Sequence, residues 1–402
     1  MRILIFTHGF APKIGGVETL VMLLAQGLVE STQHSAEPRP QVTLATPVPA
    51  GDWDDGALPF RVIRQPGLMT LVSLISSADV IHLAGPTLLP MLLGLILGKP
   101  VVVEHSGYQA CCPNGLLLDE RTKAVCPGHF MARRYFECVG CNAGVVGWWT
   151  SLKMLLLTFP RRWLLRKVAR NVNPSAHVGR RVGLPRSVTI YHGVPQLPIA
   201  KLSASECLPS PVCFAYIGRL VWEKGVDVLL GAARELMIGG YDFRLKIIGD
   251  GHERSRLEKM ADHYQLRGRI TFTGYLQGEA LQHAMREVSV TVMPSVWEET
   301  AGLSAVEHMM CGRLVIASDI GGLGELVGDA GLKFPPGDVE SLALCLRRVQ
   351  DEPKLVASIA EKAKQRALDL FRKERMIAAH RTLFSSLMPG QAPTHSRIKE
   401  VD

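Results

Sequence analysis

The sequence lacks an apolar run long enough to cross a lipid bilayer. A membrane-spanning helix needs about 20 mainly apolar residues in succession, and the strongest apolar stretch covers only residues 88–97. Three valines follow at residues 101–103, so this stretch predicts a buried helix between two parallel strands. A secretory signal is not visible either, because the first apolar run stops at Thr7. We therefore expect a cytoplasmic protein that is at most peripheral at the inner face of the membrane.

Nucleic-acid-binding motifs are absent as well. The chain contains no helix-turn-helix, zinc-finger or RNA-stacking pattern, so its net charge of +8 does not predict a nucleic-acid partner. The positive charge favours other anions, namely a sugar nucleotide, a lipid phosphate or an anionic membrane surface. With 47% apolar and 20% charged residues, the composition is that of a globular protein.

The 402 residues are enough for two domains. Short apolar runs alternate with helix-like segments over residues 1–195 and again over 212–372, which predicts two doubly wound α/β domains with parallel sheets. We expect residues 188–194 to form the last strand of the first domain. Residues 196–211 are rich in proline and lack periodicity, so we interpret them as the interdomain linker. The polar residues 389–402 predict a disordered tail.

Two glutamates, Glu299 and Glu307, flank a glycine, Gly302, between a strand-like run and a helix-like segment. A strand, a loop and a helix start in this order present backbone N–H groups to an anion. Carboxylates beside such a site can accept hydrogen bonds from sugar hydroxyls. The pattern indicates a site for a sugar and a phosphate. The alternative is a solvated loop glutamate and an ordinary helix glutamate.

Two cations, Arg219 and Lys224, bracket a second predicted turn between a strand and a helix. An arginine binds phosphate oxygens through its planar fork and a lysine binds them as a point charge, so the pair could hold a diphosphate. Ligands of such sheets bind at the carboxyl ends of the strands. We therefore predict the site in the cleft between the two halves of the chain.

The Glu299–Glu307 spacing, the turn at residues 218–225 and the double glycine Gly15–Gly16 together resemble the family 4 glycosyltransferases of the GT-B fold, over about residues 1–371. The resemblance implies two Rossmann-like domains that face each other across a cleft. Residues 1–195 would form the acceptor side and 212–372 the nucleotide-sugar side. A final helix near residues 373–388 would cross back to the first domain.

The resemblance also implies an activity: retaining transfer of a sugar from a nucleotide-diphosphate sugar to a glycan or lipid-linked acceptor. No catalytic metal or other cofactor would be needed, and the biological role would be surface polysaccharide or glycolipid biosynthesis. A GT-B sugar-nucleotide epimerase and a non-catalytic module that binds a nucleotide sugar or anionic lipid are the alternatives. An epimerase would release an isomerised sugar without needing an acceptor.

Site residues follow from the resemblance by position. His105 would face the cleft beside the reacting sugar, Arg219 and Lys224 would stabilise the leaving diphosphate, and Glu299 would hold donor-sugar hydroxyls. Glu307 would bind the ribose hydroxyls. The other residues assigned to donor binding are Gly15, Gly16, Gly218, Gly249, Tyr275, Gly302 and Leu303.

A cysteine-rich insert follows His105, at about residues 106–145. Cys138 and Cys141 form a C-x2-C pair, and Cys112 and Cys126 could supply two further thiolates. Four thiolates suit a structural zinc ion. An iron–sulfur cluster and reduced cysteines without a metal are the alternatives.

Residues 148–167 combine tryptophans and leucines with basic residues. This composition is typical of a surface that rests on anionic lipid. A helix packed against the first domain, with its basic residues in solvent, is the alternative.

Overall fold

The computed structural model describes residues 1–12, 15–30, 39–195 and 211–388. The predictions of a linker at 196–211 and of a disordered tail at 389–402 therefore fall almost entirely outside the described residues. None of the helices in the described part of the chain is long and apolar enough to span a membrane.

The first domain is built on a seven-stranded sheet in which every neighbouring pair of strands is parallel, in the order β3-β2-β1-β4-β5-β8-β9. Its central strands are buried on both faces because helices cover the two sides of the sheet. Its strands are β1 (Arg2–Thr7), β2 (Gln41–Thr46), β3 (Arg61–Arg64), β4 (Val80–Ala84), β5 (Val101–Glu104), β8 (Arg170–Asn173) and β9 (Ser187–Thr189). Its helices outside the insert are α1 (Gly16–Glu30), α2 (Leu68–Ser77), α3 (Leu88–Ile96) and α6 (Ala176–Val182).

The insert lies between β5 and β8. It begins with a short antiparallel pair, β6 (Leu118–Asp119) and β7 (Ala124–Val125), and continues with two helices, α4 (Tyr135–Val146) and α5 (Trp148–Leu165). The buried face of α5 includes Leu155, Leu164 and Leu165.

The second domain contains a six-stranded parallel sheet in the order β12-β11-β10-β13-β14-β15. Phe214, Ile247, Val292 and Ile316 form the centre of its core. Its strands are β10 (Val212–Ile217), β11 (Phe243–Ile248), β12 (Ile270–Gly274), β13 (Val290–Met293), β14 (Leu314–Ser318) and β15 (Leu332–Phe334). Its helices are α7 (Val226–Ile238), α8 (Arg254–His263), α9 (Gly278–Met285), α10 (Leu303–Met310), α11 (Gly321–Val327), α12 (Val339–Asp351) and α13 (Pro353–Leu370).

The last described helix, α14 (Lys373–Ser385), returns to the first domain and packs against α1. Ile377 and Phe384 of α14 belong to the same buried cluster as the strands of the first sheet. The approach is close at Gly27, where a Cβ atom would lie 2.0 Å from the Cδ1 atom of Ile377. The crossing helix is therefore part of the first domain's core.

The expected strand at residues 188–194 is shorter than the sequence indicates. β9 ends at Thr189, and Val194 forms an isolated bridge with Arg372 instead of a sheet pair. Residues 190–194 are mostly buried, but they lie between the first domain and the crossing segment. Residues 190–194 are largely apolar because they are buried between the two domains, and in the sequence this apolar run resembled a strand.

Candidate active site

The loops that follow β10 and β13 meet at the carboxyl edge of the second sheet. Gly225 makes the approach possible, because its φ is +64° and a Cβ atom there would lie 2.0 Å from the carbonyl oxygen of Pro294. The amide N–H of Val296 also donates to the carbonyl of Glu223 at 2.9 Å. The predicted turn at residues 218–225 and the predicted loop before α10 thus pack together as one unit.

Lys224 and Glu299 form an ion pair at the centre of this unit. The Nζ atom of Lys224 lies 2.8 Å from Oε1 of Glu299, and the hydroxyl of Ser295 donates to the same oxygen. Glu299 is only 4% exposed, so its charge depends on these two donors. The cation also lies 5.7 Å from the ring centroid of Trp297. The arrangement places a partly desolvated positive charge where it can act on a bound anion.

Helix α10 starts directly after this loop. Gly302 precedes it with a φ of +74°, a left-handed conformation that glycine adopts without a steric penalty. The double glycine of the first domain lies opposite, since a Cβ atom on Gly16 would lie 3.5 Å from the Cδ1 atom of Leu303. The structure therefore brings Gly16, Gly302 and Leu303 together across the domain boundary.

Glu307 lies one turn further along α10. Burial raises the pKa of its carboxyl to about 7, and it forms no ion pair with any residue that the structure describes. A half-buried carboxyl without a cation is poised to accept hydrogen bonds from a ligand that has hydroxyl groups.

Gly218 and Gly249 lie on adjacent strand ends, and there is no room for a side chain between them. A Cβ atom on Gly249 would lie 1.8 Å from the carbonyl oxygen of Gly218. Tyr275 follows the neighbouring strand and is 59% exposed. Arg219 is exposed and makes no ion pair within the described residues. These four residues thus lie on the loops of the carboxyl edge.

The side chain of His105 is fully buried, and its Nε2 atom lies 3.0 Å from Oδ1 of Asn171. Its position beside the reacting sugar stays a prediction. Burial lowers the pKa of its imidazole to about 4. The packing of β8 against β5 turns the side chain toward Asn171, a long-range effect that a strand-end position does not reveal.

Sequence analysis missed a group of contacts that join the domains. Glu298 accepts a hydrogen bond from Arg181 at 2.7 Å, and its carboxylate also lies 2.9 Å from Nε2 of His177. The carboxylate of Glu325 accepts the backbone N–H groups of Ala176 and His177, each at 2.7 Å, at the start of α6. The position of Glu298 directly before Glu299 is the one signal that could have indicated a role at the cleft.

The four cysteines of the predicted zinc site are all buried in the insert. Cys141 hydrogen-bonds to the carbonyl of Leu118 at 3.2 Å, and Cys112 to the side chain of Asn114 at 2.9 Å. Burial raises the pKa of Cys138 to about 12 and of Cys141 to about 11. In the part of the chain that the structure describes, no three of these thiols lie within 4.8 Å of one another.

The two doubly wound domains and the site between them define the GT-B fold. Solved structures of this fold match almost the whole chain. Anabaena Alr3699/HepE in complex with UDP matches with a TM-score of 0.68 and 18% identity, covering 96% of this chain and 100% of that one. Sucrose-phosphate synthase from Thermosynechococcus elongatus matches with a TM-score of 0.69 and 20% identity, covering 96% and 99%.

Residues 207–366 match the family model described as "Glycosyl transferases group 1". The 2-deoxystreptamine glucosyltransferase of Streptomyces kanamyceticus is 39% identical over 34% of this chain and 36% of its own length. The glycogen synthase of Mycobacterium tuberculosis is 28% identical over 60% of this chain and 59% of its own. The matched part of the chain thus spans less than two thirds of the length of each of these curated relatives.

Proposed function

We propose that this protein is a retaining glycosyltransferase that moves a hexosyl or related sugar from a nucleotide-diphosphate sugar to a glycan or lipid-linked acceptor. The observation that carries the proposal is the Lys224–Glu299 pair beside the start of α10, opposite Gly16. The names of the relatives support it, since two of them are a glucosyltransferase and a glycogen synthase. The complex of HepE with UDP supports a nucleotide-sugar donor. We assign the reaction to the cytoplasm and to surface polysaccharide or glycolipid synthesis.

The chemistry requires stabilisation of the negative charge that develops on the leaving diphosphate. Fixed positive charge for this stabilisation comes from Lys224 and from Arg219, which forms no ion pair within the described residues. The N–H groups at the start of α10 add dipoles that favour the same negative charge. Glu299 orients Lys224 and can accept hydrogen bonds from hydroxyls of the donor sugar. The departing phosphate oxygen can take the acceptor proton, so this mechanism needs no side chain as a base. We propose that catalysis needs no metal ion.

An assay of sugar transfer tests the proposal. The protein is first screened for thermal stabilisation by nucleotide-diphosphate sugars, since a ligand at 100 times its dissociation constant should stabilise by about 2.7 kcal/mol. Stabilising donors are then incubated with glycan and lipid-linked acceptors, with and without EDTA. We expect an anomer-retaining product in both conditions. An isomerised nucleotide sugar formed without an acceptor would identify an epimerase, and binding without turnover would identify a binding module.

The raised pKa of Glu307 predicts a pH dependence of donor binding. The ionised carboxylate is a stronger acceptor for the two ribose hydroxyls than the protonated form, and its folded-state pKa of about 7 keeps it largely protonated at pH 6. Nucleotide affinity should therefore rise by up to about tenfold between pH 6 and pH 8. Calorimetry with UDP on wild type and on Glu307→Gln measures this pH dependence. In the variant, residue 307 no longer titrates, so the remaining pH dependence comes from UDP itself. Equal pH profiles in the two proteins would contradict the assignment of Glu307 to the ribose hydroxyls.

We also propose that the exposed face of α5 rests on an anionic membrane. Trp149 and Trp163 are 85% and 60% exposed, and Lys153 is exposed on the same helix. Lys167 follows the end of the helix, and its Nζ atom lies 5.7 Å from the ring centroid of Trp163. The opposite face is packed against the first domain, so both interpretations of residues 148–167 apply to different sides of one helix. Tryptophan and lysine together favour the interface of an anionic bilayer.

Vesicle sedimentation tests the membrane contact. Trp149→Ser/Trp163→Ser should lower binding to phosphatidylglycerol-containing vesicles by about tenfold or more, because two interfacial anchors are lost. Trp53→Ser is the control, since Trp53 is an exposed tryptophan of the same domain outside the insert. Equal binding by the double variant and the wild type would refute the contact.

Structural zinc at Cys112, Cys126, Cys138 and Cys141 remains a proposal of its own. All four thiols are buried in one insert, and zinc would have to draw them together and displace their protons.

A further inference from the structure

A second cluster of potential metal ligands lies inside the first domain, away from the cysteines. It consists of His82 on β4, Glu104 at the end of β5, His380 on the crossing helix α14, and His192 on the segment after β9. All four side chains are buried. Four separate parts of the chain, including both segments that connect the two domains, meet at this carboxylate.

The distances within the cluster suit a small cation. The Oε2 atom of Glu104 lies 3.1 Å from Nε2 of His82 and 3.9 Å from Nε2 of His380. Zinc–ligand bonds of 2.0–2.1 Å in a tetrahedral site place neighbouring ligand atoms about 3.4 Å apart. The two observed distances lie on either side of this value. In the described part of the chain, these three residues are the one set whose ligand atoms lie within 4.8 Å of one another.

His380 has the orientation of a metal ligand. Its Nδ1–H donates to the carbonyl of Met376 at 3.0 Å, which leaves the lone pair of Nε2 directed at Glu104. This Nε2 atom is buried and has no hydrogen-bond partner. The buried Nε2 atom lies 3.9 Å from a carboxylate oxygen without a hydrogen bond to it, which leaves a position that a cation between the two atoms can occupy.

His192 completes the arrangement from the other side of the carboxylate. Its Nε2 atom lies 2.8 Å from Oε1 of Glu104, so it can fix the plane of the carboxylate while Oε2 remains for a metal. Metal-binding histidines commonly donate their second N–H to a carbonyl, and metal-binding carboxylates are themselves hydrogen-bonded. His380 and Glu104 show these two features.

We propose that His82, Glu104 and His380 bind a divalent transition-metal ion, with Zn²⁺ as the best match to two imidazoles and a carboxylate. The ion ties the crossing helix α14 to the centre of the first sheet and neutralises the buried charge of Glu104. It takes no part in sugar transfer, and the site stands whether or not the proposed function is correct.

Elemental analysis of the full chain, produced with zinc in the medium, tests this site. In addition to any metal at the proposed cysteine site, we expect wild type to contain one equivalent of metal that His380→Gln lacks and that Cys138→Ser retains. His308→Gln is the matched control, because His308 is also buried and has an unpartnered ring nitrogen but no carboxylate partner. This control should keep the full metal content. Equal metal content in wild type and His380→Gln would overturn the proposal.

Cobalt substitution of wild-type protein gives a second measurement that does not depend on how a variant folds. Metal-free wild type titrated with Co²⁺ should develop the visible d–d bands that nitrogen and oxygen ligands produce, beside any thiolate charge-transfer band from the proposed cysteine site. In Cys138→Ser these d–d bands should be retained without a thiolate band. The absence of such bands, or their loss in Cys138→Ser, would show that the cluster is a hydrogen-bonded network that binds no metal.

Discussion

Lys224→Ala is expected to lower turnover about 10²–10³-fold, which corresponds to about 2.7–4 kcal/mol of transition-state stabilisation. The reason is that Lys224 presents a partly buried charge, held 2.8 Å from Glu299, at the position proposed for the leaving diphosphate. Initial rates at saturating donor measure the effect. The donor dissociation constant should change less than the rate, because the charge on the phosphate grows in the transition state.

Lys246→Ala is the matched control for this substitution. The two lysine side chains are 17% and 18% exposed, and both form 2.8 Å ion pairs with a glutamate, but Lys246 lies within β11 instead of at a strand end. Its replacement should leave turnover within about twofold of wild type, since surface ion pairs contribute little. Near-normal transfer by Lys224→Ala would remove this residue from the mechanism.

The substitution should also affect stability, because it leaves the carboxylate of Glu299 buried without its cation. Breaking a buried ion pair typically costs about 3–5 kcal/mol, whereas replacing both members by neutral groups is often tolerated. Lys224→Met/Glu299→Gln should therefore recover most of the melting temperature while remaining inactive. This double variant separates the loss of catalysis from the loss of fold.

Gly225→Ala should have a large effect on the site, although it adds only one methyl group. The new Cβ atom would lie 2.0 Å from the carbonyl oxygen of Pro294 and would force the two loops apart. The left-handed backbone costs about 1–2 kcal/mol for an alanine, and the clash adds about 1–3 kcal/mol. Because Lys224 precedes this residue, the ion pair with Glu299 should be lost and turnover should fall as it does in Lys224→Ala.

Gly240→Ala separates these two contributions. Gly240 has a φ of +80°, but nothing lies within 4 Å of a Cβ atom placed there. Gly240→Ala should lower the free energy of unfolding only by the backbone contribution, and it should leave turnover unchanged. Chemical denaturation and initial rates on both variants measure the comparison. Equal destabilisation by the two substitutions would mean that the contact with Pro294 is not tight.

Local sequence features predicted much of the fold and the loops of the site. The buried strands β1, β5 and β10 were evident because parallel strands covered on both faces are continuous apolar runs. The turn at Gly225 and the helix start at Gly302 were evident because glycine is needed where φ is positive. The edge strand β3 was not predicted, since Arg61 and Arg64 interrupt its apolar pattern.

Long-range contacts could not be predicted from the sequence. The pairing of Glu298 with Arg181 joins residues 117 positions apart, and the contact of His105 with Asn171 joins residues 66 positions apart. The histidines around Glu104 come from segments separated by up to nearly 300 residues. No spacing rule brings such residues together, because their contact depends on how whole domains pack.

The chain crosses the boundary between the two domains twice, and these two crossings limit how the cleft can open. The outgoing and returning segments lie side by side, with the N–H of Val194 donating to the carbonyl of Phe371 at 3.0 Å and Gly193 packed against Lys373. Two parallel attachments leave the domains chiefly one degree of freedom, a rotation about an axis near this pair. We expect any such rotation that admits the proposed donor to separate Gly16 from Leu303 and Arg181 from Glu298. Entry of the proposed donor would therefore release these interdomain contacts.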